Sequence, residues 1–234
     1  MSKSRIFEGK GTERSQEERM DYQRQRADVA ACMTRLYEKG LTTTSGGNIS
    51  LRLDADHFCI TSSGKDKASL TSDDIAVVDF SGKNLTPHLT MSIENGIHRL
   101  VLRARPDMNA IVHAHSLYAS AFSAIRPREG ETCPVDTALI AESWFLLGNA
   151  GYVPYHKQGS EALAEAVAEA SRTHDVMLME NHGVVAVGRT LIEAFDRIEV
   201  FENAARMTYI TRTLAATGMP WHSISEEDRK ELRP

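Results

Sequence analysis

The chain has 234 residues, of which 41% are hydrophobic and 25% charged, and its formal net charge is −5. That length suits one large domain with a sizeable core. Charges of both signs are mixed, without a basic stripe, which argues against a nucleic-acid partner. No apolar run approaches the roughly 18 residues of a membrane-spanning helix, and the polar N-terminus lacks the apolar core of a signal peptide. We therefore expect a cytoplasmic protein that binds no membrane, with one domain over residues 1–234 and a polar extension at residues 1–13.

The three cysteines give no sign of a disulfide framework or a thiolate metal site. Cys32, Cys59 and Cys133 are odd in number, far apart and without metal-ligand spacing. This usage is typical of reduced, structural thiols in the cytoplasm.

The first third of the chain predicts one helix followed by short strands. Ser15 and Glu18 have capping-box spacing and open a helical stretch that ends near Gly40. Thr71 and Asp74 form a second capping pair. After a turn-rich segment over 41–48, strands are predicted at 49–53, 57–61 and 75–80.

The rest of the chain alternates predicted helices and buried strands. Helices are predicted at 92–104, 117–124, 138–147 and 160–172, with strands at 110–115, 176–179 and 184–187. Thr190 and Glu193 form a capping box that starts a long helix to about Ala216. The tail from Trp221 is polar. This alternation indicates an α/β fold.

A candidate metal site is the strongest chemical signal. His113 and His115 are two residues apart in a predicted strand, so both side chains project from one face. His182 lies in a turn between two apolar strands, and Glu94 supplies a carboxylate. Three imidazoles and one carboxylate would complete a four-ligand set for a divalent metal. From spacing alone, buried histidines without a metal remain an equal alternative.

Glu94 and His98 are four residues apart and would share one face of a helix. They are either a surface pair, or Glu94 is a metal ligand or base that His98 supports. The other histidines, at positions 57, 88, 156, 174 and 222, are interpreted as ordinary surface or core residues.

Two Gly/Ser-rich segments predict anion-binding loops. Gly46, Gly47 and Gly64 permit close backbone approach, so that N–H groups can face an anion. Asn48, Ser63 and Ser92 add side-chain donors. The alternative is that these segments are ordinary turns.

Together these motifs resemble the class II aldolase/adducin family over nearly the whole chain. The order and spacing of six segments carry the resemblance: residues 45–52 (Ser-Gly-Gly-Asn-Ile-Ser-Leu-Arg), 60–64 (Ile-Thr-Ser-Ser-Gly), 73–79 (Asp-Asp-Ile-Ala-Val-Val-Asp), 92–107 with Glu94 and Arg-Pro-Asp, 112–116 (Val-His-Ala-His-Ser) and 181–183 (Asn-His-Gly).

The resemblance implies a central, mainly antiparallel sheet flanked by helices in three layers, and a homotetramer with active sites at subunit interfaces. It implies that His113, His115 and His182 bind Zn²⁺, with Mn²⁺ or Co²⁺ as alternatives. Glu94 would ligate the resting metal and act as acid/base when substrate displaces it. It further implies a set of phosphate-binding residues: Gly47, Asn48, Ser63, Gly64 and Ser92.

The chain departs from the family pattern at two places. Ile93 occupies a position where aldolases acting on sugar 1-phosphates often have a second phosphate-binding serine. The segment 134–138 contains no tyrosine to serve as the acid, so Asp136 or another group would take that part. Tyr155 lies in a different segment and is interpreted as a packed aromatic.

These features favour a lyase that cleaves a ketose 1-phosphate to dihydroxyacetone phosphate and an aldehyde. The first alternative is a metal-dependent decarboxylase of a keto acid or aromatic carboxylate, which Ile93 and the missing tyrosine favour. A sugar-phosphate epimerase or dehydratase, and a non-catalytic adducin-like binding module, also remain open.

Overall fold

The computed structural model describes residues 22–233, so the predicted extension at 1–13 and the capping pair Ser15 and Glu18 lie outside it. The elements are α1 (Gln23–Glu38), β1 (Asn48–Arg52), β2 (His57–Thr61), β3 (Ile75–Asp79), α2 (Asn95–Ala104), β4 (Ala110–Ala114), α3 (Leu117–Ser123), α4 (Ala141–Leu147), β5 (Gly151–Val153), α5 (Glu161–Ala170), β6 (Val176–Met179), β7 (Gly183–Gly188), α6 (Leu191–Ala215) and α7 (Glu226–Leu232).

Seven strands form one sheet in the order β3-β2-β1-β4-β7-β6-β5. Every pair is antiparallel except β5 with β6. β4 is central, with Asn48 of β1 opposite His113 and Val184 of β7 opposite Ala114. The N-terminal ends of β1 and β7 therefore lie beside the C-terminal end of β4. The predicted mainly antiparallel sheet is confirmed.

Alternate residues of each strand feed two separate hydrophobic cores. Val112 and Val184 pack with residues of α1, α3 and α6. Ile111 and Val185 face the other way and pack with residues of α2 and α5. A fully buried side chain of this size contributes roughly 1.5–3 kcal/mol. The period of two in β4 and β7 thus produces the predicted three layers.

Two helices begin three residues later than predicted. Glu94 (φ −98°, ψ 10°) is the N-cap of α2, whose first residue is Asn95. The N–H of Asn95 donates to the Ser92 carbonyl in the turn before the helix. Ile140 is extended (φ −136°, ψ 152°) and precedes α4. Because Glu94 is the cap, its side chain does not lie on the helix surface and can turn toward the sheet.

Two elements were not predicted. β5 has three residues, too few for a periodic pattern. α7 has no buried residue and hence no apolar stripe, but Ser225 accepts a hydrogen bond from the Asp228 N–H, which is an N-cap signal. The Trp144 indole also donates to the carbonyl of Arg229, 2.9 Å away, which fixes α7 against α4.

The cysteines behave as the sequence predicts. All three are free, and burial raises the pKa of each thiol to about 12. The thiolate, which is the reactive form, is therefore scarce at neutral pH. Between residues 22 and 233 no helix is both long and apolar enough to traverse a bilayer.

Candidate metal centre

His113 is the innermost member of the predicted metal site. It is fully buried on β4, and its Nδ1 lies 2.9 Å from the Val184 carbonyl oxygen. A carbonyl only accepts, so Nδ1 carries the proton. The Nε2 lone pair of His113 is consequently free and directed into the site.

His115 and His182 bring two further imidazoles to the same point. His115 Nε2 lies 2.9 Å from His113 Nε2, and one nitrogen of each of the three rings lies within 4.8 Å of the others. His182 reaches the site through the turn between β6 and β7, where Asn181 has a positive φ of 53°. Asparagine tolerates this left-handed backbone better than most residues.

Glycines on either side of β4 make this approach sterically feasible. A Cβ on Gly183 would lie 2.5 Å from the Ala114 carbonyl oxygen and 2.8 Å from His115 Cδ2. A Cβ on Gly47, whose φ is +67°, would lie 2.6 Å from the His113 carbonyl oxygen. Each glycine thus permits a neighbouring strand to come close to the histidine-bearing strand.

Glu94 closes the site from the start of α2. It is 3% exposed, with Oε1 2.8 Å from His182 Nε2 and Oε2 3.3 Å from His113 Nε2. Burial alone would raise its pKa, but His113, His182 and the Asn48 amide outweigh that effect and hold the pKa below its ordinary value. Glu94 is therefore an anion at neutral pH.

The donor set fits a divalent cation. Burial lowers the pKa of His113 and lowers that of His115 to about 3, so both rings are neutral and have lone pairs to offer. His182 Nε2 is buried without a hydrogen bond of acceptable geometry, although the Glu94 oxygen is near. Neutral imidazoles, an unpartnered nitrogen and an adjacent carboxylate are typical of a Zn²⁺-type site.

A buried polar layer supports Glu94. The Asn48 amide nitrogen lies 2.7 Å from Glu94 Oε2 and 3.1 Å from Ser92 Oγ, and its oxygen contacts His98 Nε2. His98 is fully buried, with Nδ1 2.6 Å from Ser50 Oγ, and burial lowers its pKa to about 3. The alternative of a surface pair between Glu94 and His98 is therefore wrong.

The candidate phosphate residues fall into two groups. Asn48 and Ser92 contact Glu94 directly, and both hydrogens of the Asn48 amide are used within the chain. The Ser63 N–H is bonded to the Thr90 carbonyl, two residues before Ser92, and Gly64 is exposed with a φ of +70°. Their role toward phosphate stays a prediction.

Gln158 is a site residue that the sequence did not reveal. Its amide nitrogen lies 3.4 Å from Glu94 Oε1. A Cβ on the following Gly159, whose φ is +73°, would lie 3.2 Å from the Ile93 carbonyl oxygen, so this loop passes close to the residue before Glu94. A single glutamine in a turn-rich loop gives no sequence signal for such a contact.

Two other sequence interpretations concern possible acids. Tyr155 is 61% exposed, so its interpretation as a packed aromatic is wrong; only its N–H is fixed, by Glu180 at 2.9 Å. The Asp136 carboxylate accepts hydrogen bonds from the Ser223 hydroxyl and from the Ala138 N–H. Its predicted part as an alternative acid stays untested.

Comparisons with known proteins show the family to which the chain belongs. Residues 27–209 match the Class II Aldolase and Adducin N-terminal domain family. The chain is 36% identical over 176 residues to L-fuculose phosphate aldolase of Methanocaldococcus jannaschii, covering 75% of this chain and 91% of that protein. It is 30% identical over 175 residues to 3-oxo-tetronate 4-phosphate decarboxylase of Haemophilus influenzae, covering 74% of this chain and 81% of that protein.

A solved structure supports the same assignment. YgbL of Escherichia coli, described by the alternatives aldolase, epimerase or decarboxylase, superposes with a TM-score of 0.81 at 25% identity, covering 91% of this chain and 99% of that one. The chain belongs to the class II aldolase and adducin family, as its motifs predict.

Proposed function

We propose that this chain is a divalent-metal-dependent lyase that cleaves a ketose 1-phosphate to dihydroxyacetone phosphate and an aldehyde. The observation that carries the proposal is the convergence of three imidazole nitrogens within 4.8 Å of one another beside a buried carboxylate. The similarity to an L-fuculose phosphate aldolase supports the choice of reaction.

His113, His115 and His182 would hold the cation. A cation bound there, with Zn²⁺ expected and Mn²⁺ or Co²⁺ as alternatives, supplies positive charge beside the oxygens on which negative charge develops during C–C cleavage. The neutral rings of His113 and His115 leave that positive charge undiminished. An adducin-like module without catalysis would have no need of this buried set.

Glu94 is the residue that we assign to proton transfer. Its anionic carboxylate can accept the proton of the hydroxyl group on the carbon whose C–C bond breaks. It can then return a proton to the other carbon, which keeps the electron pair of that bond. It would also ligate the metal before substrate binds. Asn48 and Ser92 hold this carboxylate and its backbone in place.

The phosphate of the substrate would bind near the loops that contain Gly47, Ser63, Gly64 and Ser92. This proposal is supported by the glycine backbone of both loops and by the position of Ser63 next to the strand segment that precedes Ser92. Asn48 would reach phosphate only by giving up one of its present partners.

We also propose a homotetramer with active sites at subunit interfaces, in the cytoplasm. Exposed apolar residues of α3 and of the second half of α6, which we together call the α3–α6 face, support the assembly: Leu117, Met207, Tyr209, Ile210 and Leu214. The ring centroids of Tyr118 and Tyr209 are 5.9 Å apart, so the N-terminal end of α3 packs against α6. Leu117 follows the metal ligand His115 by two residues, which places this face beside the site.

A decarboxylase on the same scaffold is the second candidate. The 62% exposed Ile93 has no donor for phosphate, and one relative is a 3-oxo-tetronate 4-phosphate decarboxylase. The same cation would stabilise the electron pair that departing CO₂ leaves behind. An epimerase or dehydratase would use the same ligands on another sugar phosphate.

A substrate panel with metal analysis tests the proposal. The purified chain should contain about one divalent ion per subunit, or take up one on reconstitution with Zn²⁺, Mn²⁺ or Co²⁺. Ketose 1-phosphates should then release an aldehyde. Release of CO₂ from keto acids, without aldehyde release, would replace the aldolase with the decarboxylase. Elemental analysis that finds no metal even after reconstitution would reject both.

Glu94→Gln should keep the metal but lose about 10²–10⁴-fold in turnover, because the amide cannot accept the proton. Glu193→Gln, on α6 and paired with Arg189 and Arg197, is the matched control and should retain wild-type turnover. Wild-type turnover in Glu94→Gln on the true substrate would exclude Glu94 as the base.

A further inference from the structure

A chain of hydrogen bonds leads from the core of the sheet to Glu94. Ser50 Oγ lies 2.6 Å from His98 Nδ1, His98 Nε2 contacts the Asn48 side-chain oxygen, and the Asn48 amide nitrogen lies 2.7 Å from Glu94 Oε2. All four residues are at most 4% exposed. Water therefore has little access to these four side chains and does not replace the hydrogen bonds between them.

Elementary donor and acceptor rules fix the direction of every bond. An ionised Glu94 only accepts, so Asn48 must turn its NH₂ toward Glu94 and its oxygen toward His98. That oxygen also only accepts, so His98 Nε2 must carry the ring proton. In a neutral ring Nδ1 is then bare and accepts from the Ser50 hydroxyl. Every donor in the chain points toward Glu94.

We propose that His98 is a positioning residue that orients the Glu94 carboxylate through the Asn48 amide. A flipped Asn48 would place its oxygen against the Glu94 anion and its NH₂ against the Nε2–H of His98. Both contacts are repulsive, so His98 disfavours the flipped orientation of the Asn48 amide from the side opposite Glu94. The inference rests on the proposed role of Glu94 as ligand and acid/base.

The ring tautomer of His98 is the first test. Labelling of the full-length, metal-free chain with ¹³C and ¹⁵N reports which ring nitrogen is protonated, and through-bond correlations from backbone to ring assign the His98 signal. We expect a single tautomer with the proton on Nε2. A proton on Nδ1 would reverse the donor chain and overturn the proposal. This measurement uses the unsubstituted chain, so it decides even where a variant fails to fold.

Cobalt binding is the second test, read from the visible absorption of Co²⁺ titrated into each variant. His98→Leu cannot donate to Asn48 and should bind Co²⁺ about 10-fold more weakly, in the range of supporting residues at metal sites. His98→Gln can place an N–H toward Asn48 and should bind within about threefold of wild type. Ser171→Ala is the control, because Ser171 is equally buried but donates to the Ala168 carbonyl.

Each outcome of the titration bears on the proposal. Rescue by His98→Gln but not by His98→Leu supports positioning through the hydrogen bond. Equal weakening in both variants, or wild-type binding in His98→Leu, means that the ring only fills space and overturns it. If Glu94→Gln keeps full turnover while this chain of bonds is verified, the proposed function fails and the orienting role of His98 on the carboxylate stands.

Discussion

Gly183 and Gly47 lie on opposite sides of β4, next to the segment that carries His113 and His115. Neither position leaves room for a side chain, because a Cβ at either one would meet a main-chain oxygen rather than a flexible group. Main chain in a sheet cannot move aside without breaking ladder hydrogen bonds. At this scale the proposed metal centre requires glycine at positions 47 and 183 as well as the candidate ligands.

Gly183→Ala should lower the free energy of unfolding by about 1–3 kcal/mol, because its Cβ would overlap the Ala114 carbonyl. It should also weaken metal binding, because the same Cβ would press on the ring of His115. Urea unfolding and Co²⁺ titration measure the two effects.

Gly96→Ala is the matched control. Gly96 is in α2, and its Cβ would meet only the Ala164 methyl at 3.4 Å. The substitution should stabilise the chain by roughly 0.5–1 kcal/mol through helix propensity. Equal effects of the two substitutions would contradict the steric explanation for Gly183.

The β1–β2 hairpin shows how a single element depends on one carboxylate. Asp54 Oδ1 accepts hydrogen bonds from the N–H of Asp56 at 2.7 Å and of His57 at 2.9 Å, and Oδ2 accepts from the Tyr22 hydroxyl at 2.5 Å. The turn thus connects β1 and β2 to the start of α1. Since Asn48 and Ser50 lie on β1, the hairpin also supports the strand that reaches Glu94.

The hairpin should give a measurable acid dependence. Burial acts to raise the pKa of Asp54, but hydrogen bonds from Tyr22 and His57 lower it from 3.8 to about 2. Because the folded pKa lies below the unfolded one, this group's stabilisation is full above about pH 4 and is lost as pH falls toward 2.

Asp54→Asn should therefore flatten the decline of unfolding free energy between about pH 4 and pH 2, measured by urea titration. Asp56→Asn removes a carboxylate of the same turn that accepts none of these bonds, and should keep the wild-type slope. Equal slopes in wild type and Asp54→Asn would show that the turn bonds do not survive in solution.

At the scale of the whole molecule, the proposed metal ligands come from distant parts of the chain. Glu94 precedes α2, His113 lies near the end of β4 and His115 directly after it, and His182 lies between β6 and β7, so one ion would connect three segments. A ligand that binds only the folded chain stabilises it by mass action. The seven-stranded sheet and the proposed centre are in this sense one unit.

Metal removal should lower the melting temperature, and Zn²⁺ at about 100 times its dissociation constant should restore about 2.7 kcal/mol. Calorimetry with and without chelator measures the difference. His182→Asn should abolish it, whereas His174→Asn, a histidine outside the ligand set, should preserve it. An unchanged melting curve in the wild type would argue against a resident ion.

The proposed assembly predicts that Leu117→Glu reduces the mass of the particle, because it places a charge in the α3–α6 face. Light scattering after size exclusion should show a tetramer for the wild type and smaller species for the variant. Ile192→Glu, which is also at an exposed apolar residue but in the first turn of α6, should remain tetrameric. A monomeric wild type would reject the assembly.

Sequence alone determined the family and the alternation of helices and strands, and it selected His113, His115, His182 and Glu94 as the candidate site residues. These depend on residue type and on local period, which spacing along the chain expresses. The mainly antiparallel, three-layer sheet was implied by the resemblance to the family and not by the local pattern.

Only the tertiary structure decided which contacts these side chains make. Strand register placed Asn48 opposite His113, where its side-chain amide donates a hydrogen bond to Glu94. No local sequence pattern predicts this contact. The late start of α2 turned Glu94 inward, buried His98, and allowed the loop of Gln158 to reach the carboxylate. Such contacts join residues far apart in sequence, so their geometry is set by packing rather than by propensity.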